Sequence, residues 1–231
     1  SGRITAPLVF AGAVCAQILE QDGIVSGAHI LSISDVNDRR FDPVDITAQE
    51  LEKIKKKDFP VLNDDIAAEM KESVKKASEK LDSVGGRIEC AITGLPAGIG
   101  SPMFDGLENR IAQAVFGIPA IKGLEFGAGF GFAEMCGSQA NDKFTTDGKN
   151  IRTLTNNNGG ILGGISNGMP IVFTAAVKPT PSIAQPQQTV DYVKMENTVL
   201  EIKGRHDACI VPRAVPCVEA AANIALLSFL I

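Results

Sequence analysis

Apolar positions recur at helical spacing over residues 64–81, where Ile66, Met70, Val74, Ala77 and Leu81 line one stripe and charged residues stand opposite. The pattern predicts a helix packed through that stripe, with Gly85 and Gly86 as its stop. Residues 5–19, rich in Ala, Val and Leu, predict a buried helix with Pro7 in its first turn. Residues 47–57 predict a short helix capped by Thr47, with Glu50 three positions on completing a capping box. Residues 104–116 read as an amphipathic helix. Residues 214–231, apolar apart from Glu219 and Asn223, read as a closing buried helix that begins near Val215.

Between these helices, residues 24–33, 87–93, 170–177 and 199–202 read as strands, and 118–134 as a strand-like segment broken by glycines. Residues 35–43, 139–149 and 179–188 are polar connectors. Glycine-broken strands and short loops predict an α+β fold with mostly antiparallel sheets rather than a doubly wound parallel one. No linker composition interrupts the chain, so residues 1–231 read as one domain. T-A-P-L-V-F-A-G-A near the start and R-A-V-P-C-V-E-A-A-A near the end share a small-residue texture, a faint sign of internal duplication.

The net charge of -5, the absence of Trp and the single Tyr argue against a nucleic-acid surface. The K-I-K-K-K run at 53–57 reads instead as a solvated helix end, where cations oppose the helix dipole. Five scattered cysteines and two histidines make a disulfide framework or a metal site improbable and fit thiols in a reducing cytoplasm. The most apolar stretch, 214–231, is too short and too interrupted to span a bilayer comfortably, so no membrane partner is expected.

Chemistry concentrates at residues 156–182, N-N-N-G-G-I-L-G-G-I-S-N-G-M-P-I-V-F-T-A-A-V-K-P-T-P-S. Five glycines let backbone N–H groups approach an anion, and Lys178 can add a point charge from a turn stiffened by Pro179 and Pro181. The same glycines also suit tight turns and close strand contacts. A second cluster, Lys203-Gly204-Arg205-His206-Asp207, sets cations, an imidazole and a carboxylate together. Arg205 can fork onto a phosphate or carboxylate and Asp207 can accept a proton, or the pair can simply fix a loop.

The blocks S-G-R-I-T-A-P-L (1–8), I-P-A-I-K-G-L-E-F-G-A-G-F (118–130), N-N-N-G-G-I-L-G-G-I-S-N-G (156–168), K-P-T-P-S-I (178–183), K-G-R-H-D (203–207) and I-V-P-R-A-V-P (210–216) closely resemble the chorismate synthase family, in family order over nearly the whole chain. The resemblance implies a β-α-β sandwich, helices held between antiparallel sheets, in a homotetramer. It also implies a lyase that converts 5-enolpyruvylshikimate-3-phosphate to chorismate and phosphate with reduced FMN, without net redox change. The source of the flavin's electrons, an NAD(P)H-dependent activity of its own included, is left open. Matched position by position, Ser1, Ala120, Gly163, Lys178, Pro179, Thr180, Pro181, Ser182 and Arg205 correspond to flavin contacts. Arg3 and Arg205 correspond to substrate-facing arginines, and Asp207 to the aspartate that manages the proton on flavin nitrogen five.

Pro119 stands where many family members have Asn, and Ala208 where Pro commonly follows the aspartate. The family's two catalytic histidines match neither His29, in an apolar strand-like context, nor His206. The chain therefore reads as the C-terminal part of such an enzyme, inactive by itself. The alternative is a non-catalytic folded module that oligomerises and binds FMN weakly or not at all.

Overall fold

The computed structural model describes residues 2–204 and 206–231. In chain order the elements are α1 (Gly2–Gln21), β1 (Val25–Ile33), β2 (Val36–Asn37), α2 (Ala48–Lys55), α3 (Asp64–Glu79), β3 (Gly86–Thr93), α4 (Leu107–Phe116), β4 (Ile121–Phe126), α5 (Gly137–Ala140), β5 (Phe144–Thr146), β6 (Ile151–Thr153), β7 (Ile161–Leu162), β8 (Ile165–Ser166), β9 (Ile171–Val177), β10 (Gln187–Asp191), β11 (Glu196–Leu200) and α6 (Val211–Leu227). One five-stranded sheet, β2-β1-β3-β9-β4, is antiparallel throughout, and three small hairpins pair β5 with β6, β7 with β8 and β10 with β11. The α+β class follows directly.

Strand alternation divides the sheet into two unlike faces. One presents Ile88, Cys90, Ile92, Phe173, Ala175 and Val177 to a helical layer of α1, α4 and α6. The other carries a row of polar residues, His29, Glu89, Thr174 and Glu125, in register across β1, β3, β9 and β4. Alongside that row, Leu51 of α2 packs with Phe41, Ile46, Ala91 and Val172 in a small second cluster.

α6 is buried along most of its length, and α1 crosses it so closely that a Cβ on Gly12 would lie 2.3 Å from the Ala220 Cβ. Only glycine permits that approach. Around this crossing α1 departs from the expected buried helix. It starts at Gly2, so Pro7 lies inside it, and only the strip facing α6 is covered, which leaves Ile4, Phe10, Val14 and Ile18 exposed. By length and composition this helix could cross a membrane. Its contact with α6 ties it to the fold instead.

Other boundaries move for local reasons. α3 ends at Glu79, and Leu81, expected on its buried stripe, instead takes φ 57° and is 57% exposed. Extended Gly106 splits the expected 104–116 helix into a 3-10 turn and α4. The polar 139–149 connector contains the end of α5 and all of β5, and the strand expected at 199–202 forms earlier, as β11, where β10 supplies its partner. α6 begins at Val211, because Pro212 is tolerated in a first helical turn. The capping box at Thr47 and Glu50 forms as read. The lysines after it are less solvated than read: Lys55 pairs with Glu20, Glu52 and Glu219, and Lys57 bonds the Val61 carbonyl and Asp64.

Candidate functional site

A cleft of about 220 Å³ opens where the first turns of α1 and α6 meet the start of β4 and the turn after β9. It gathers Thr5, Ala120, Thr180, Pro181 and Asp207 with Ile118, Ile210 and Arg213. At less than the ~300–1,000 Å³ of complete small-molecule pockets, it has room for only part of a large ligand. Its walls are mostly apolar, with Thr5, Thr180, Asp207 and Arg213 as polar lining, a composition that suits a ring system with an attached anion.

Three features of the cleft are locally unfavourable without a ligand. Ala120 adopts φ 77°, a left-handed conformation costly for any residue with a Cβ. The Thr180 hydroxyl is buried without a hydrogen-bond partner. Ile210, the N-cap of α6, brings no side-chain acceptor to the helix's first N–H groups. The first turns of α1 and α6, which carry the positive ends of their helix dipoles, both line the cleft, through Thr5 and through Arg213. Charge focused this way can hold an anion on a chain whose net charge is -5.

The surrounding hydrogen bonds fix the walls. The Lys178 N–H donates to the Ala120 carbonyl at 2.9 Å, which joins the two expected flavin-contact segments. Ser83 donates its hydroxyl to the Thr180 carbonyl at 2.6 Å. Thr5 hydrogen-bonds Cys217, and burial pushes that thiol's pKa up despite the bond. Asp207 forms an ion pair with Arg213 one helical turn into α6, and the His206 ring lies 3.0 Å from the Ile202 carbonyl. Pro179 and Ser182 are exposed beside the cleft, and Arg3 sits exposed in the first turn of α1. Ser1 and Arg205 lie outside the described residues.

Gly163 lies elsewhere, at the tip of the β7–β8 hairpin. With Gly164 it takes φ 61° and 86°, the pair of positive values a two-residue hairpin turn demands. Before that turn the glycine run is closed on itself. Asn157 and Asn158 donate their N–H groups to Asp142, Gly159 donates to the Asn156 carbonyl, Gly160 to Asn156 Oδ1 and Ile161 to the Asn158 carbonyl. Those five amides are unavailable to an anion, so this part of the run is a set of tight turns rather than a phosphate nest. Burial alone would raise the Asp142 pKa, but its bonds from Asn158, Thr155 and Asn157 outweigh that and hold it low. Reading the sequence missed Asp142, Asn156, Ser83 and Arg213 as site builders. Arg213 left a signal as the cation in I-V-P-R-A-V-P and Asn156 as the first residue of the N-N-N-G-G run, and Asp142 and Ser83 left none.

A larger groove, about 410 Å³, runs between α1 and α6 past Lys55 and Glu219. It contains none of the expected flavin contacts.

The profile of the chorismate synthase family matches residues 1–231. Among curated proteins, the chain is 47% identical to the chorismate synthase of Dehalococcoides mccartyi, over 98% of this chain and 61% of that protein. It is 45% identical to the chorismate synthase of Thermococcus gammatolerans, over 100% of this chain and 63% of that protein. A crystal structure of chorismate synthase superposes with a TM-score of 0.81 at 32% identity, covering all of this chain and 64% of the other. The chain thus spans somewhat under two thirds of the length of these relatives.

Proposed function

This chain belongs to the chorismate synthase family, and we propose that it supplies one wall of the site in which 5-enolpyruvylshikimate-3-phosphate loses phosphate and a ring proton to give chorismate, with reduced FMN as cofactor. The observation that carries this reading is the coincidence, in one cleft, of left-handed Ala120 and the unpartnered Thr180 hydroxyl. Backbone strain of this kind concentrates where ligands are held, and a buried polar atom without a partner is costly unless a ligand completes it.

In this account the apolar wall from Ile118 to Ala120 and at Ile210 would hold the flavin ring, and the Thr180 hydroxyl would be free to donate to it. Lys178 and Arg205 would offer positive charge to the flavin phosphate, and Arg3 and Arg205, by their match to the family's arginines, would serve the anionic groups of the substrate. Reduced flavin, when bound, would supply electron density for the departure of phosphate. Asp207, held by Arg213, would manage the proton on flavin nitrogen five. The cleft excludes water from one side of that exchange.

His29 is buried in the sheet away from the cleft and His206 is turned onto a backbone carbonyl, so neither is assigned the family's acid role. General acids of that kind contribute typically ~10²–10⁴-fold each. Residues 1–231 alone are therefore expected to bind flavin better than they turn over, and the activity is proposed for the longer protein that carries them, in a cytoplasmic homotetramer. Anaerobic addition of reduced FMN and substrate to that protein, reading chorismate and phosphate, tests the assignment. Equal release of both products supports it. A folded protein that binds neither ligand is the non-catalytic module.

A further inference from the structure

Outside the cleft, the sheet's polar face holds a charge cluster that the proposed reaction does not use. His29 is fully buried in β1, the apolar strand context that the sequence indicated, but its ring meets polar partners. Its Nε2 lies 3.0 Å from Glu89 Oε2, and its Nδ1 lies 3.2 Å from the Ile30 carbonyl and 3.6 Å from Asp38 Oδ2. Both ring nitrogens thus face acceptors. A neutral imidazole has one N–H and would leave a lone pair opposed to an oxygen, whereas the cation satisfies both sides.

The two carboxylates reach the same strap of chain, residues 38–46. Asp38 belongs to it and accepts the N–H groups of Arg39 and Asn63 at 2.8 and 3.1 Å. Glu89, 1% exposed, accepts the Phe41 N–H at 2.7 Å and the Arg40 guanidinium at 3.0 Å. Phe41 then stacks edge-on against the His29 ring, with centroids 4.7 Å apart. Farther along, the Pro43 carbonyl accepts the Asn156 side-chain amide at 2.9 Å, and Asn156 Oδ1 accepts the Gly160 N–H at 2.7 Å. A continuous chain of bonds therefore runs from His29 through the strap to the glycine run.

We propose that His29 is a proton-controlled positioning residue whose charged form latches the 38–46 strap to the sheet and, through Asn156, holds the glycine run in place. The charged groups of the cluster are Asp38 and Arg40 of the strap, Glu89 of β3 and, beyond Arg40, Glu125 of β4; β9 contributes neutral Thr174, and α2 packs alongside with apolar Leu51. Burial disfavours the His29 cation, but hydrogen bonds to Asp38 and Glu89 reverse that and raise its pKa. With the folded pKa raised, the latch is fully present below the unfolded value of ~6.5 and is lost as pH rises through the folded one. The inference stands on this geometry and does not require the proposed reaction.

Amide hydrogen exchange on the protein as isolated, corrected for intrinsic rates, tests it between about pH 6 and about pH 10. At the acid end, wild type is expected to protect 38–46 and 156–161 at least about tenfold better than His29→Gln, the worth of one hydrogen bond to a charged group. That ratio should fall toward one as pH rises, in both segments together, while the β3 core amides do not move. Asp38→Asn, which removes one of the two carboxylates, should shift the fall to lower pH and serves if His29→Gln folds poorly. A ratio that stays constant with pH, or strap loosening that leaves 156–161 protected, overturns the proposal.

Discussion

The first turns of the glycine run, residues 156–161, and the Ala120–Thr180 cleft both border β9, yet the first is complete and the second is not; later in the run the Asn167 side-chain nitrogen is also buried without a partner. In the run, residues that take left-handed backbone are glycines, and the amides from Asn157 to Ile161 all have partners. In the cleft, left-handed backbone falls on an alanine, and a threonine hydroxyl is buried without a partner. On the proposed reading the difference separates scaffold from site. A segment that satisfies itself needs no ligand, and one that carries strain and an open hydrogen bond is finished by one.

Substitutions can break that contrast. Asp142→Ala should cost the most, about 3 kcal/mol, because it strands two backbone N–H groups along with the Thr155 hydroxyl and the Asn158 amide. Urea unfolding of variant and wild type measures it. Because the Asp142 pKa is depressed in the folded state, its contribution is present above ~4 and lost as pH falls through the folded value; Asp142→Asn should flatten that acid limb. Gly160→Ala should cost about 2 kcal/mol, since φ is 82° and the new Cβ would sit 2.5 Å from the Pro170 carbonyl oxygen. On the cleft side the sign reverses. Ala120→Gly should raise the melting temperature slightly, by relief of about 0.5 kcal/mol once glycine's own entropy is subtracted. Finding Gly160→Ala neutral and Ala120→Gly destabilising would invert the comparison.

Much of this was readable from residues 1–231 because the strongest signals are local. The Thr47 capping box, the strands at 87–93 and 170–177 and the antiparallel class each follow from side chains a few positions apart. What escaped depends on distant partners. Nothing around Asp142 shows that it will clamp Asn157 and Asn158, and nothing around His29 shows that Glu89 lies opposite it. α1 was misread because apolar composition says a surface will be covered but not which side the fold covers. The glycine run was legible as special, and only its hydrogen bonds distinguish turns from an anion nest.

Thr180→Val tests the central claim most directly, because it removes only the hydroxyl that lacks a partner. In the protein carrying these residues, thermal stability should stay within about 0.5 kcal/mol of wild type, or rise, because no protein hydrogen bond is lost. Affinity for reduced FMN, titrated anaerobically with substrate present, should fall about tenfold, the worth of one hydrogen bond completed by the ligand. Unchanged affinity with unchanged stability would mean that the flavin is held elsewhere and that the cleft is not its site.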